Sequence, residues 1–133
     1  MGYTIGNDMN SRDIEGENLL YLPQAKIYTG SCAVGSWIVV GHAEDDARQW
    51  SIRLEIRRGA EQAFAGETRA DQIKRPFTEL VDYLFRSQTF PNGAILLTGA
   101  GIVPPDSFTL EAHDRVRITI SGIGTLENPV AVV

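Results

Sequence analysis

From Trp50 to Arg57 the chain alternates without a break: Trp50, Ile52, Leu54 and Ile56 fall between Ser51, Arg53, Glu55 and Arg57. A period of two sends all four apolar side chains to one face of a strand. Arg115 to Ser121 repeats the pattern, with Val116, Ile118 and Ile120 turned inward. After the first strand, Arg58-Gly59-Ala60-Glu61 reads as a turn and Gln62 to Phe64 as the returning arm of a hairpin. The row Arg53, Glu55, Arg57 reads as a solvent face.

Only Pro76 to Arg86 follows a helical period. Ile73, Phe77, Leu80, Val81 and Leu84 fall at i, i+4, i+7, i+8 and beyond, and Pro76 suits a first turn, where no backbone donor is needed. Strands and helices do not alternate as βαβα, which argues against a doubly wound parallel sheet. The pattern predicts an α+β, β-rich fold with one amphipathic helix.

Elsewhere the readings are coarser. Residues 2–8 read as one strand and 9–22 as irregular or short helical structure. Ile27–Tyr28 and Ala33–Val40 read as strand segments, with bends at Gly30 and Gly35. Residues 42–49 read as a polar connection in which Asp45 and Asp46 are solvated. Pro91-Asn92-Gly93 is a turn, Ala94–Thr98 a short buried strand, and Pro104-Pro105-Asp106 a rigid loop. Gly122–Gly124 turns the chain, and Leu126–Val133 reads as a last strand with Pro129 at a bend or edge.

A chain of 133 residues is expected to form one domain with a real core. A net charge of −5 argues against sequence-independent nucleic-acid binding, which needs a basic face. The single cysteine, Cys32, has no partner for an internal disulfide; it reads as a small buried residue in a cytoplasmic protein. Asn7 to Glu17 is polar where a secretory signal would be apolar, and the apolar run Trp37–Val40 is too short to span a membrane.

The chemistry is concentrated between Tyr3 and Ser31. A short apolar start delivers Asp8 into a polar turn, a common way to set a ligand or catalytic group on a rigid frame. Were residues 9–15 to wind helically, Asp8, Arg12 and Glu15 would fall at i, i+4 and i+7 on one face. The same spacing equally describes a solvated charge ladder. Thr98-Gly99-Ala100-Gly101 permits close approach to a ligand or merely a tight turn, and it lacks the Lys-Ser/Thr of a phosphate loop. His42 and His113 stand alone in polar turns.

The wording of the chain adds more. Gly6-Asn7-Asp8-Met9-Asn10-Ser11-Arg12-Asp13-Ile14-Glu15 and Leu22-Pro23-Gln24-Ala25-Lys26 resemble the fumarylacetoacetate hydrolase family. So do Gly66-Glu67-Thr68, Leu97-Thr98-Gly99, Gly101-Ile102-Val103-Pro104-Pro105 and Gly124-Thr125-Leu126-Glu127-Asn128-Pro129. The resemblance covers nearly the whole chain, and is strongest to the branch acting on 2-keto-3-deoxy sugar acids.

It implies a mixed-sheet β roll of the family's C-terminal type, forming a homodimer or higher homo-oligomer, with the site on loops at one end of the sheets. It also implies a divalent cation, Mg²⁺ or else Mn²⁺ or Ca²⁺, held by carboxylates and gripping a small 2-keto acid. A hard cation takes oxygen ligands and polarises a carbonyl. On this resemblance Asp8 is the metal ligand, Lys26 and Arg12 are catalytic, and Arg12, Glu15, Thr98 and Gly99 bind substrate. The implied activity, in sugar acid catabolism, is a dehydratase (a lyase) or a C–C bond hydrolase.

There are departures from the family. Ala100 stands where the family has a carboxylate-binding threonine, and Asn10 where it mostly has serine. The family's Glu-x-Glu metal pair and its lid, with an acidic residue and a histidine, lie upstream of the matched region. Glu15-Gly16-Glu17 has that spacing but lies downstream. The expectation is therefore one domain, 1–133, equivalent to the C-terminal part of the catalytic domain with the upstream segment absent. Alternatives are a truncated, non-catalytic structural or binding subunit, and a site completed by a separate N-terminal half.

Overall fold

The computed structural model describes residues 1–133. Its frame is a four-stranded antiparallel sheet in the order β6-β5-β7-β8, where β5 is Ser51–Arg58, β6 Glu61–Arg69, β7 Arg115–Ile120 and β8 Gly124–Pro129. The two alternating segments lie side by side. Ile52 pairs with Ile120, Leu54 with Ile118 and Ile56 with Val116, so their apolar side chains form one continuous face. The opposite face carries the charges: Arg53 pairs with Glu55, and Arg115 and Arg117 both reach Glu127.

The return arm β6 runs five residues past Phe64, to Arg69. Its inward positions are Phe64, Gly66 and Thr68, opposite Ile56, Leu54 and Ile52. A glycine and a threonine in two of three places hide the alternation.

The expected helix is α4, Phe77–Phe85, with Pro76 just before its first turn as the N-cap. Residues 42–49 are not merely a connection: Glu44–Arg48 forms a short helix, α3. The Glu44 carboxylate accepts the Phe77 and Thr78 amides at 2.6 and 3.1 Å, satisfying donors at the start of α4. Those amides hold the Glu44 carboxyl below its usual range, against the desolvation that raises it. Ala47, Ile52, Ala70 and Phe77 form the buried core beside this junction.

The N-terminal third forms two small antiparallel ladders. β1 (Gly2–Tyr3) pairs with β4 (Val39–Val40), and β2 (Gly6–Asp8) with β3 (Cys32–Val34). The strands read as 2–8 and 33–40 are thus each two strands; Ile5 and Gly35 join the ladders through one backbone bond. Between β2 and β3 lie α1 (Arg12–Glu17), a 3₁₀ turn at Leu19–Tyr21 and α2 (Leu22–Lys26). Ile27–Tyr28 is not strand.

Three further expectations fail. Cys32 is exposed, on a strand of a ladder only two strands wide. The last strand ends at Pro129, beyond which only Val130 still exchanges backbone bonds, with His113 and Asp114. Ala94–Thr98 is neither strand nor buried: Ile95 is 60% exposed, and residues 94–104 make no backbone–backbone hydrogen bond.

The loop after it is anchored from behind. Asp114, 1% exposed, accepts Arg58 Nε and Nη2 at 3.0 and 2.9 Å and the Glu111 amide at 2.9 Å. Arg58 also donates to the Thr109 carbonyl and lies over the Phe108 ring. The chain as a whole exposes 9073 Å². A folded monomer of its 14.6 kDa exposes about 6900 Å².

Candidate functional site

The apolar face of the sheet forms the floor of an open cleft of about 1040 Å³, lined there by Trp50, Ile52, Leu54, Ile56, Ile118 and Ile120. Its rim is polar. Asp8, Asn10, Arg12, Glu15 and Lys26 come from the N-terminal segment, and Thr98, Gly99 and Ala100 from the 94–104 stretch.

Asp8 ends β2, and the chain leaves that strand under firm hold. The Met9 amide donates to the Ser31 carbonyl at 2.8 Å, and the Ser11 amide to the Ala25 carbonyl at 2.9 Å. These bonds set β2 against α2 and bring Lys26, the last residue of α2, to Asp8: Nζ lies 2.8 Å from Oδ2. Both side chains remain about one-third exposed, at 34% and 35%.

The hydrogen bond to Asp8 raises the Lys26 ammonium above its usual pKa, with further support from the charges of Asp8 and Glu15. Burial works the other way and is outweighed. Lys26 is therefore a fixed positive charge at neutral pH rather than a base.

Arg12 opens α1, so Asp8, Arg12 and Glu15 do not share a helix face; Asp8 stays in its strand. The three still reach the same cleft. Arg12 donates to the Pro104 carbonyl at 2.6 Å and to Asp106 at 3.1 Å, which fastens α1 to the opposite wall. Glu15 is held by Asn10. Thr98 and Gly99 lie on the exposed rim, and Gly99 has φ +75°, a conformation that favours glycine.

Other candidates lie elsewhere. His42 stacks edge-on against Trp50, with ring centroids 5.2 Å apart. His113 adopts φ +73° and donates its amide to the Val130 carbonyl. Glu67 lies on β6 opposite Arg53. The sequence reading missed the role of Asp106 and Pro104 as partners of Arg12, and the Arg58–Asp114 clamp behind them. No spacing signal links residues 94 apart in the chain, as Arg12 and Asp106 are.

Asp8 has the oxygen donor a hard cation takes. No group of three or more His, Cys, Asp or Glu side chains converges anywhere in the chain. Water and substrate oxygens complete the shell of such ions, but a single carboxylate holds one weakly, so the residues present offer only part of a site.

A family model described as the fumarylacetoacetate hydrolase C-terminal region matches residues 1–131. The probable 2-keto-3-deoxyxylonate dehydratase of Haloferax volcanii is 44% identical over 133 residues, all of this chain and 46% of that protein. The 2-dehydro-3-deoxy-D-arabinonate dehydratase of Saccharolobus solfataricus is 44% identical over 98% of this chain and 44% of its own length. A structure of 2-keto-3-deoxy-D-arabinonate dehydratase with magnesium and 2,5-dioxopentanoate superposes with a TM-score of 0.89, at 43% identity, over 96% of this chain and 46% of that one. The chain thus spans a little under half the length of the relatives it matches. With the profile matched almost end to end and the fold shared, the chain belongs to the fumarylacetoacetate hydrolase family.

Proposed function

We propose that this chain is the C-terminal catalytic portion of a 2-keto-3-deoxy sugar acid dehydratase. The observation that carries the reading is the Asp8–Lys26 pair on the rim of a cleft that Arg12 also lines. The 44% identity to two such dehydratases supports it.

In this reading Asp8 is one oxygen ligand of a Mg²⁺ ion whose remaining protein ligands come from outside residues 1–133. Lys26 keeps carboxylates and an anionic substrate together by its fixed charge. Arg12 faces the substrate carboxylate, helped by Glu15 and by the Thr98–Gly99 backbone at close range. Ala100 offers no hydroxyl there, so the grip is one hydrogen bond weaker, about 1.5–3 kcal/mol for a charged partner. Residues 1–133 act as one domain in a homo-oligomeric cytoplasmic enzyme.

A second reading, a non-catalytic subunit of the same fold, is favoured by the lack of three converging carboxylates at the site. C–C bond hydrolysis is the other chemistry open to the family.

Titration calorimetry with Mg²⁺ and a 2-keto-3-deoxy acid separates them. The dehydratase reading expects binding in the assembled enzyme that Asp8→Asn abolishes, with water lost from the substrate. Unchanged binding in Asp8→Asn defeats the metal assignment. No turnover in an assembly that includes the Glu-x-Glu region favours the subunit.

A further inference from the structure

We infer that Asp106 is an internal stand-in for the substrate carboxylate. It occupies Arg12 until an anionic acid displaces it, and so sets how tightly that acid binds. The inference rests on the reading that Arg12 faces the substrate carboxylate.

The first observation is a charge balance. Four carboxylates, Asp8, Asp13, Glu15 and Asp106, line the cleft against two cations, Arg12 and Lys26. Both cations are already taken. Lys26 Nζ lies 2.8 Å from Asp8, and Arg12 Nη1 donates to Asp106 at 3.1 Å. An acid entering the cleft therefore meets no free positive charge, and one of the two pairs has to open.

The second observation says which. Asp8 and Lys26 shield each other, each side chain about one-third exposed, and the charge of Glu15 adds to the hold on Lys26. The Asp106 side chain is fully exposed, at 106%. An ion pair with one partner in bulk water is weak, because water replaces the bond as it breaks. Arg12–Asp106 is the looser tie.

The third concerns what stays in place when it opens. Arg12 Nη2 donates to the Pro104 carbonyl at 2.6 Å. Pro104 and Pro105 both have a ring-fixed φ. The Phe108 amide donates to the Pro105 carbonyl at 2.8 Å, closing a turn with Asp106 and Ser107 at its centre. Phe108 packs on Phe64, with ring centroids 6.0 Å apart, and lies under Arg58. The backbone around Asp106 is thus held without its carboxylate, and release needs only a rotation of that side chain. Pro104 keeps Nη2, so the rigid guanidinium fork stays aimed while Nη1 passes from one carboxylate to the other. Asp106 keeps the guanidinium paired in the empty cleft and weakens binding by the strength of the pair that must break.

The test measures KM and kcat for 2-keto-3-deoxyarabinonate in the assembled enzyme, and the Kd of pyruvate, an anion that cannot lose water, by calorimetry with Mg²⁺ present. Asp106→Asn should lower KM and the pyruvate Kd about two- to five-fold, the range of an exposed ion pair, with kcat unchanged. Asp106→Glu should restore the wild-type values. Asp13→Asn removes the same charge from the cleft lining and should change neither constant. In an Arg12→Gln background Asp106→Asn should have no effect, which shows that it acts through Arg12. Exchange of the Phe108 amide should match wild type in every Asp106 variant.

Unchanged or weaker binding in Asp106→Asn overturns the inference, as does an equal gain in Asp13→Asn. Faster exchange at Phe108 in Asp106→Asn makes Asp106 a tie for the turn and overturns it too. Tighter pyruvate binding in Asp106→Asn by a protein that dehydrates no sugar acid leaves the stand-in role intact and defeats the dehydratase reading. Turnover with a KM indifferent to Asp106 does the reverse, and no pyruvate binding by any form defeats both.

Discussion

Asp114→Asn isolates the clamp behind the cleft wall. The wild-type carboxylate accepts three hydrogen bonds, two from Arg58 and one from the Glu111 amide, while 1% exposed. Asparagine keeps one acceptor oxygen and turns the other position into a donor. At the Oδ1 place that donor would face Arg58 Nε; at the Oδ2 place it would face both Arg58 Nη2 and the Glu111 amide. Hydrogen bonds to charged groups contribute about 1.5–3 kcal/mol each. Arg58 is 37% exposed and regains water when released, so we take the lower figure for the one bond lost in the cheaper orientation, roughly 1.5 kcal/mol.

Urea unfolding followed by tryptophan fluorescence should show that loss as a lower midpoint with unchanged slope. The pH profile supplies the second half of the test. Arg58 holds the Asp114 carboxyl below its ordinary value of 3.8, outweighing desolvation, with the Glu111 amide helping. A depressed folded pKa stabilises above the unfolded value and is lost as pH falls through the folded one. Wild type should therefore lose part of its advantage over Asp114→Asn below pH about 4. A variant within about 0.5 kcal/mol of wild type at pH 7, the range of inconsequential surface changes, would refute the clamp, as would a gap that persists undiminished into acid.

Three other substitutions test separate parts of the fold and site. Phe77→Ala empties the core position packed on Ala47, Ile52 and Ala70 and should cost about 3–5 kcal/mol by urea unfolding. Glu44→Ala leaves the Phe77 and Thr78 amides without acceptors; a cost of about 1 kcal/mol, with faster amide exchange at those two residues, is expected. Lys26→Met removes the partner of Asp8. Because the folded Lys26 pKa is raised, the pair contributes below the unfolded lysine value and is lost as pH rises through the folded one. Wild type and Lys26→Met should converge in stability above pH about 11.

What was legible in the sequence depended on how local the cause was. β5 and β7 announced themselves because every inward position is apolar, and their side-by-side register follows from burying both rows together. β6 was half hidden because Gly66 and Thr68 occupy inward places. In the sequence the helix at Glu44–Arg48 looks like a polar connection because its single buried residue is Ala47. Ala94–Thr98 reads as a strand, but a strand needs a neighbour, and none of the elements here pairs with it.

At the site, spacing alone left Asp8, Arg12 and Glu15 open between a ligand set and a solvated ladder. The family wording singled out Asp8 and Lys26, and the fold brings them within 2.8 Å. The hold on Arg12 by Pro104 and Asp106 depends on how distant loops fold back, which no local pattern encodes.

Cys32 stands directly across the ladder from Asp8, is exposed, and is the only thiol in the chain. Residues facing each other across an antiparallel pair project to the same side. A fluorophore or nitroxide attached there needs no engineered cysteine. It would sit a few ångströms from the rim carboxylate, where a paramagnetic ion such as Mn²⁺ would betray its arrival by quenching or line broadening.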